Sequence, residues 1–192
     1  ARTAGEWLMR ELSMHILDLA QNSIAAGASR IEIDVEADTV RDSLTIAIKD
    51  NGRGMDPEFV AQVKDPFTTT RTTRRVGVGI PMMAEAARAC DGGMDVISEP
   101  GKGTTLTARF KLSHIDRAPL GDMAATLVSL IAANPDIEFK YAHTVNGGTF
   151  TVDTEEIKSH LNGVPINEGP VLKWLMEYMK DGIIESMDRS DQ

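Results

Sequence analysis

Two polar residues share one face of the first predicted helix. Asp18 and Asn22 are four residues apart, and His15 precedes Asp18 by three, so the three lie on one helix face. An asparagine carbonyl is a hard oxygen ligand suited to Mg²⁺, which proteins hold through few side chains together with phosphate oxygens and water. A carboxylate one turn away could orient a water molecule as a general base. Asn22 is therefore a candidate metal ligand and Asp18 a candidate catalytic residue. The simpler alternative is the solvated side of an amphipathic helix.

A glycine-containing turn, residues 50–55, follows directly on a predicted strand. Asn-Gly is common in turns, so a plain connection between elements is the alternative interpretation. Two glycines separated by one residue, Gly52 and Gly54, also allow a backbone to approach a flat ligand closely. An aspartate at the strand end, Asp50, can accept the exocyclic amine of adenine, and Met55 can pack against the ring face. The turn is thus a candidate purine site.

Two more glycine-rich segments lie further along the chain. The segment Gly77-Val78-Gly79 precedes an alanine-rich helix, and glycines at a helix start leave N–H groups that can bind an anion. This segment lacks the Lys-Ser/Thr of a P-loop and the spacing of a dinucleotide-binding motif, so neither of those sites is supported. The segment 101–105 could be only a tight turn entering a strand, or its threonines, Thr104 among them, could reach Asp50.

Residues 51–79 are rich in Gly, Pro, Thr and Arg and show little periodicity. They predict a long loop with one short helix near 57–64, and a loop of this length in a compact domain is usually functional or mobile. Three arginines in it, Arg71, Arg74 and Arg75, are natural partners of a γ-phosphate because guanidinium groups grip phosphate bidentately. A merely solvated loop is the alternative.

The apolar pattern predicts the elements that must position these residues. Up to residue 113 they are a helix over 11–26, antiparallel strands over 31–35 and 44–48, a helix over 79–90, and strands over 94–98 and 104–112. Beyond it they are a helix over 122–133, hairpin strands over 137–143 and 149–152, a helix opening at 154, and a helix over 171–184. We therefore predict a domain over 1–113 and a small α-β-β-α-α appendage over 114–192. Core packing is the first explanation of the apolar helix faces in the appendage, and a protein partner or homodimer surface is the second.

The composition limits the classes of function. With 29 acidic and 20 basic residues the formal net charge is −9, which argues against a general nucleic-acid binder because such proteins need a positive surface. No apolar run approaches the length of a membrane span, and no signal peptide is evident at the start. We expect a cytoplasmic protein without membrane association. The single cysteine, Cys90, lies in an alanine-rich run and is expected to be a buried, inert thiol.

In this order the motifs resemble those of the superfamily of gyrase, ninety-kilodalton heat-shock chaperone, histidine kinase and MutL ATPases, over roughly residues 8–113. Residues 17–23 resemble the N box, continued at 25–29 much as in MutL proteins. Residues 50–54, 76–80 and 101–105 resemble the three glycine boxes, and 65–70 the F box of sensor kinases, which the ATP lid follows.

The resemblance implies a fold, ligands and roles for residues. The fold is α+β, a two-layer sandwich of the Bergerat type with a mixed, mostly antiparallel sheet. The ligands are ATP and Mg²⁺, with Asn22 coordinating Mg²⁺ and Asp50 binding adenine. The lid and the second glycine box resemble those of sensor kinases.

Three positions depart from the family pattern. Asp18 stands where the chaperone, gyrase and MutL branch has a catalytic glutamate, so the side chain is one C–C bond shorter. Arg75 replaces the glycine expected before Val76. About ten residues precede the N box helix, and among them no dimerising phosphoacceptor hairpin is expected. His15 is interpreted as a surface or phosphate-neighbouring residue and not as a phosphorylated one.

Three functions are consistent with these features. The first is a stand-alone protein kinase of the anti-sigma type, which has a carboxylate at the position of Asp18. The second is an ATPase switch in which nucleotide binding orders the lid and changes what the protein contacts. The third is a nucleotide-responsive binding module with negligible turnover, whose residues 114–192 carry the interaction.

Overall fold

The computed structural model of the protein describes residues 11–64 and 79–188. Three features predicted from the sequence therefore lie outside the described residues. They are the F-box-like segment 65–70, the lid arginines, and the first two residues of the second glycine segment, Gly77 and Val78.

One mixed sheet forms the centre of the described structure, with strand order β3-β4-β2-β1-β5-β6. The strands are β1 (Arg30–Asp38), β2 (Ser43–Asp50), β3 (Gly93–Glu99), β4 (Gly103–Lys111), β5 (Glu138–Val145) and β6 (Gly148–Asp153). The helices are α1 (Leu12–Ala25), α2 (Pro57–Lys64), α3 (Gly79–Ala89), α4 (Met123–Ala133), α5 (Thr154–His160) and α6 (Gly169–Asp188). Each adjacent pair of strands is antiparallel except β1 and β5, which are parallel. The prediction of a mixed, mostly antiparallel sheet is confirmed.

The alternation of residues along the strands produces two layers. In β1 the side chains of Ile31, Ile33 and Val35 are buried, while those of Asp34 and Glu36 are exposed. Because successive strand residues point to opposite faces, the apolar set covers one face only. The buried residues of β2, β4 and β5 belong to the same core as the inner faces of α1, α3, α4 and α6.

The segment after residue 113 contains the predicted order of elements, from α4 to α6. Its strand β5 pairs with β1 along the length of both, for example Ile33 with Tyr141, so the sheet continues across residue 113. The apolar faces of α4 and α6, with Leu127 and Leu175, lie in the common core, as expected if core packing explains them. The division into domains 1–113 and 114–192 stays a prediction, but the two segments share one sheet and one core.

Two further predictions concern the burial of Cys90 and the length of apolar helices. The Cys90 side chain is 3% exposed, and burial raises the pKa of its thiol. The expectation that this cysteine is buried is confirmed, and its inertness stays a prediction. Among the described residues, no helix combines the length and the apolar character needed to cross a membrane.

Candidate functional site

The carboxylate of Asp50 is fixed at the end of β2. Its side chain is buried. Oδ2 accepts a hydrogen bond from Ser23 Oγ at 2.7 Å, and Oδ1 accepts one from the backbone N–H of Gly52 at 2.9 Å. Each carboxylate oxygen can accept more than one hydrogen bond. The group is therefore held in one orientation and still has acceptor capacity for a ligand donor, such as the amino group of adenine.

Ser23 is a site residue that the sequence analysis missed. It lies one position after Asn22 on α1, and its side chain is buried. A hydroxyl among the apolar positions of an amphipathic helix is the signal that could have found it, because a buried hydroxyl requires a hydrogen-bond partner. That partner is Asp50, 27 residues further along the chain.

Asn51 braces the turn instead of facing a ligand. Its Oδ1 accepts hydrogen bonds from the backbone N–H groups of Ser29 and Arg30, at 2.9 and 3.0 Å, and its Nδ2 donates to Ser29 Oγ. In addition, the N–H of Arg53 donates to the carbonyl of Ala26 at 2.9 Å. These bonds tie the turn to the end of α1 and so fix Asp50 relative to Ser23.

The glycines of the turn are needed by packing within the protein. A Cβ on Gly54, where φ is +67°, would lie 2.0 Å from the carbonyl oxygen of Glu99, and a Cβ on Gly52 would lie 3.0 Å from that of Ala26. A Cβ on Gly103, where φ is +96°, would lie 1.9 Å from the carbonyl oxygen of Asp50. Gly52 and Gly54 were predicted to leave space for a flat ligand. In the structure, neighbouring backbone occupies that space.

Gly103 provides a test of this packing. Gly103→Ala is expected to lower the free energy of unfolding by about 3 kcal/mol or more, because the new methyl group adds an overlap to the backbone strain of a positive φ. Gly101→Ala is the matched control, since Gly101 also has a positive φ (+76°) but open space around its Cβ position. It should cost only about 1 kcal/mol. Urea unfolding of the two variants measures the difference, and equal losses would contradict the packing argument.

A pocket brings together five of the eight predicted site residues that the structure describes, whereas Asp18, Gly52 and Gly79 do not line it. Its polar lining includes Asn22, Asp50 and Thr104, and the cavity measures about 100 Å³. Thr104 is opposite Asp50 in the β2–β4 pairing, and its Oγ1 lies 2.8 Å from Ser98 Oγ. The remaining walls are mainly apolar and include Leu19, Gly54, Met55, Ile80 and Leu106. A mainly apolar pocket with a fixed carboxylate in its wall suits a purine ring.

The start of α3 lies against α1 beside this pocket. A Cβ on Gly79, the first residue of α3, would lie 3.1 Å from the Cβ of Asp18 and 3.5 Å from Nδ2 of Asn22. The first N–H groups of a helix have no partner within the helix and favour anions. The Nδ2 atom of Asn22 is buried and has no hydrogen-bond partner among the described residues. The Nδ2 atom of Asn22 is thus available to a ligand.

The side-chain oxygen of Asn22 fits a magnesium ion that is bound together with phosphates. Within residues 11–64 and 79–188, no group of three or more His, Cys, Asp or Glu side chains is placed to hold a metal ion. Mg²⁺ is often held by one or two protein oxygens, with substrate phosphates and water completing its shell. Asn22 Oδ1 could supply such an oxygen, and it lies beside a helix start suited to phosphate.

His15 is not a surface residue. It is 1% exposed, and its Nδ1 has no hydrogen-bond partner among the described residues. Burial lowers the pKa of the imidazole, while the negative charge of Asp18 acts in the opposite direction. The surface interpretation of this residue was therefore wrong, and a ring so buried is not accessible to a phosphate donor.

A family model matches more than half of the chain. It is described as "Histidine kinase-, DNA gyrase B-, and HSP90-like ATPase" and matches residues 9–114. The chain belongs to this family. The matched segment contains every predicted site residue, and it extends from α1 through β4.

The relatives of the chain include a sensor kinase and a DNA mismatch repair protein. The chain is 38% identical over 105 residues to the sensor protein kinase FleS of Pseudomonas aeruginosa, a match that covers 55% of this chain and 25% of FleS. It is 30% identical over 179 residues to the DNA mismatch repair protein MutL of Xanthomonas campestris, covering 73% of this chain and 28% of MutL. The chain thus spans about a quarter of the length of these relatives.

A solved structure supports the fold. The N-terminal domain of a DNA repair protein superposes on the chain with a TM-score of 0.52 at 17% identity, covering 76% of this chain and 52% of that one. This coverage is more than residues 1–113 alone could supply, so the likeness of fold includes part of the segment after 113. The predicted fold class is confirmed, whereas the roles of individual site residues stay predictions.

Proposed function

We propose that the protein is a Mg-ATP-binding regulatory protein that hydrolyses ATP or transfers its γ-phosphate to a separate partner protein. The observation that carries the proposal is the buried Asp50 carboxylate, held by Ser23 and Gly52 in an apolar pocket. A nucleotide-responsive binding module with negligible turnover is the alternative. It is favoured by the shorter carboxylate of Asp18 at the position where the hydrolytic branch of the family has glutamate.

The pocket suggests how ATP would lie. Asp50 accepts the adenine amino group, Met55 and Ile80 contact the ring, and Thr104 lies across from Asp50. The phosphates then extend toward the start of α3, where the N–H groups of Gly79 and Ile80 favour anions. Asn22 would hold Mg²⁺, which would supply neutralisation of the phosphate charge. In this proposal Arg71, Gly77 and Val78, which lie outside the described residues, complete the phosphate site.

Asp18 is the residue proposed to move a proton. It lies one turn before Asn22 on α1, is partly exposed, and is close to Gly79. Its carboxylate would take the proton of the attacking oxygen, which belongs to water in hydrolysis and to a partner hydroxyl in phosphoryl transfer. In both cases the bond between the γ-phosphorus and the bridging oxygen breaks and ADP leaves.

One experiment separates the proposed reactions. The purified protein is incubated with Mg²⁺ and γ-³²P-ATP, alone and with a cell extract, and released phosphate and labelled proteins are measured. Release without extract indicates an ATPase. Without such release, a labelled extract protein that is not labelled when the purified protein is omitted indicates a kinase. Binding of ATP without either result supports the binding module. Failure to bind ATP by calorimetry would overturn all three.

Asn22→Ala is expected to weaken the affinity for Mg-ATP by about tenfold and to leave the affinity for Mg²⁺-free ATP unchanged. The reason is that the variant loses the only predicted protein ligand of Mg²⁺. Calorimetry with and without Mg²⁺ measures both affinities. Gln21→Ala, an exposed neighbour on α1, is the control and should behave as the wild type. An unchanged Mg-ATP affinity in Asn22→Ala would rule out a ligand role.

A further inference from the structure

A second cavity lies at the end of the sheet, away from Asp50. It measures about 470 Å³, compared with about 100 Å³ for the nucleotide pocket. It is bounded by β6, α5 and α6, and we call it the β6 groove. Its lining includes two carboxylates, Asp153 and Glu156, which we call the rim, and two aromatic residues, Trp174 and Tyr178, which we call the floor. The nucleotide function does not use this groove.

The floor of the β6 groove is a stacked aromatic pair. Trp174 and Tyr178 are one turn apart on α6, with ring centroids 5.1 Å apart and planes 10° from parallel. They remain 47% and 42% exposed. Phe150 packs edge-to-face against Tyr178, with ring centroids 5.4 Å apart. Phe150 also lies close to Gly182, where a Cβ would be 2.1 Å from the phenylalanine ring. The pair is therefore supported by packing and offers an aromatic face to solvent.

The rim of the groove carries excess negative charge. Arg30 contacts three carboxylates, those of Glu32, Asp153 and Glu155, at 3.3, 2.8 and 3.1 Å. Two further cations lie near these carboxylates among the residues the structure describes, namely Lys49, 3.9 Å from Glu32, and Lys140, opposite Asp153 in the β5–β6 pairing. Glu156, which lines the groove, has no ion-pair partner among those residues. An aromatic face beside the unpaired carboxylate of Glu156 favours a cation.

The groove also includes a free strand edge. In the described structure β6 is the last strand of the sheet and pairs on one side only, with β5. The outer edge of such a strand presents N–H and C=O groups that can pair with an extended chain. Thr151 and Asp153 on β6 line the groove, so a segment paired there would pass beside the aromatic pair.

We propose that the β6 groove binds a basic, extended segment of a partner protein, with an arginine side chain over the Trp174–Tyr178 pair and close to Glu156. The aromatic face attracts the guanidinium, the carboxylates supply complementary charge, and the free edge of β6 holds the peptide backbone. Arginine suits this site better than lysine because its planar group stacks on aromatic rings. The inference goes beyond the nucleotide function and does not depend on it.

The test uses Trp174 as a reporter. The chain has two tryptophans, Trp7 and Trp174, so Trp7→Phe leaves a single fluorophore in the groove. The probe is an acetylated and amidated octapeptide of alternating arginine and valine, titrated without ATP. We expect a saturable change in Trp174 fluorescence, and no change with the corresponding glutamate–valine peptide. Because ATP is absent, failure of the nucleotide proposal would not alter this result.

Variants locate the binding site. With a fluorescein-labelled probe, anisotropy should show that Trp174→Ala and Glu156→Gln each weaken binding by about tenfold. The controls are Ile115→Ala and Glu36→Gln, which remove an exposed apolar side chain and an exposed carboxylate elsewhere, and they should bind as the wild type. Equal affinities for all variants would overturn the proposal. It would also be overturned if sedimentation showed a homodimer that Trp174→Ala dissociates, since a second copy would then cover the groove.

Discussion

Replacing Asp50 with asparagine is expected to abolish the stabilisation of this protein by ATP. The carboxylate is buried, and Ser23 and Gly52 hold both oxygens in place. An amide in the same position exchanges one acceptor oxygen for an NH₂ donor. In the position of Oδ1 the NH₂ group meets the N–H of Gly52, which also donates, and in the position of Oδ2 it ends the donation from Ser23. Either orientation therefore loses one of the two bonds that hold the side chain and one acceptor oxygen for adenine, and a buried donor without an acceptor costs about 1–3 kcal/mol.

Thermal unfolding measures the effect directly. A ligand at 100 times its dissociation constant stabilises a protein by about 2.7 kcal/mol, and we expect this gain in the wild type and none in Asp50→Asn at the same ATP concentration. Asp181→Asn, an exposed position on α6, is the matched control and should keep the full gain. Circular dichroism checks that Asp50→Asn is folded. An undiminished gain in a folded Asp50→Asn variant would refute the adenine role of Asp50.

Much of this site could be predicted because the signals are local. The alternation of Ile31, Ile33 and Val35 indicates a strand with one buried face, and the spacing of Asp18 and Asn22 places them on one helix face. A polar residue at the end of a strand lies where the strands of the sheet end, whichever neighbours that strand pairs with. The position of Asp50 therefore follows from the local patterns of β2 and α1.

What the sequence could not show depends on contacts between distant segments. The Ser23–Asp50 hydrogen bond needs the distance between α1 and β2, which no local pattern specifies. The parallel pairing of β1 with β5 joins residues more than a hundred positions apart, so the segment after 113 was predicted as an appendage although it extends the same sheet. The need for glycine at 54 and 103 likewise arises from backbone that approaches from another strand.

His15 illustrates the same limit on a single residue. The helical spacing correctly places His15 on the same face as Asp18. Spacing alone does not show how much of that face other segments of the protein bury. In the structure it is buried, as is its neighbour Leu12. The backbone of residues 119 and 120 is hydrogen-bonded to the first turn of α1, at Leu12 and Ser13. A polar face of a helix can therefore be interior when a later segment of chain packs on it.

Replacing Asp18 with asparagine is expected to reduce ATP turnover by at least about a hundredfold while leaving ATP affinity unchanged. Proton transfer by a positioned side chain contributes about 10²–10⁴-fold to a rate, and an amide cannot accept the proton. Affinity should persist because the adenine contacts proposed for Asp50 and Met55 are not altered. The rate is measured as phosphate release or as label transfer, whichever the wild type shows, and Asp181→Asn should keep the wild-type rate.

Asp18→Glu separates the charge of this side chain from its length. It keeps a carboxylate and restores the glutamate of the hydrolytic branch, so we expect it to retain turnover that Asp18→Asn loses. A second readout is independent of turnover. The charge of Asp18 raises the pKa of His15 against the effect of burial, so removing that charge in Asp18→Asn should lower the pKa further, as measured by NMR titration. If Asp18→Asn shows the lower His15 pKa but turns over ATP at the wild-type rate, Asp18 is close to His15 as described but is not the base.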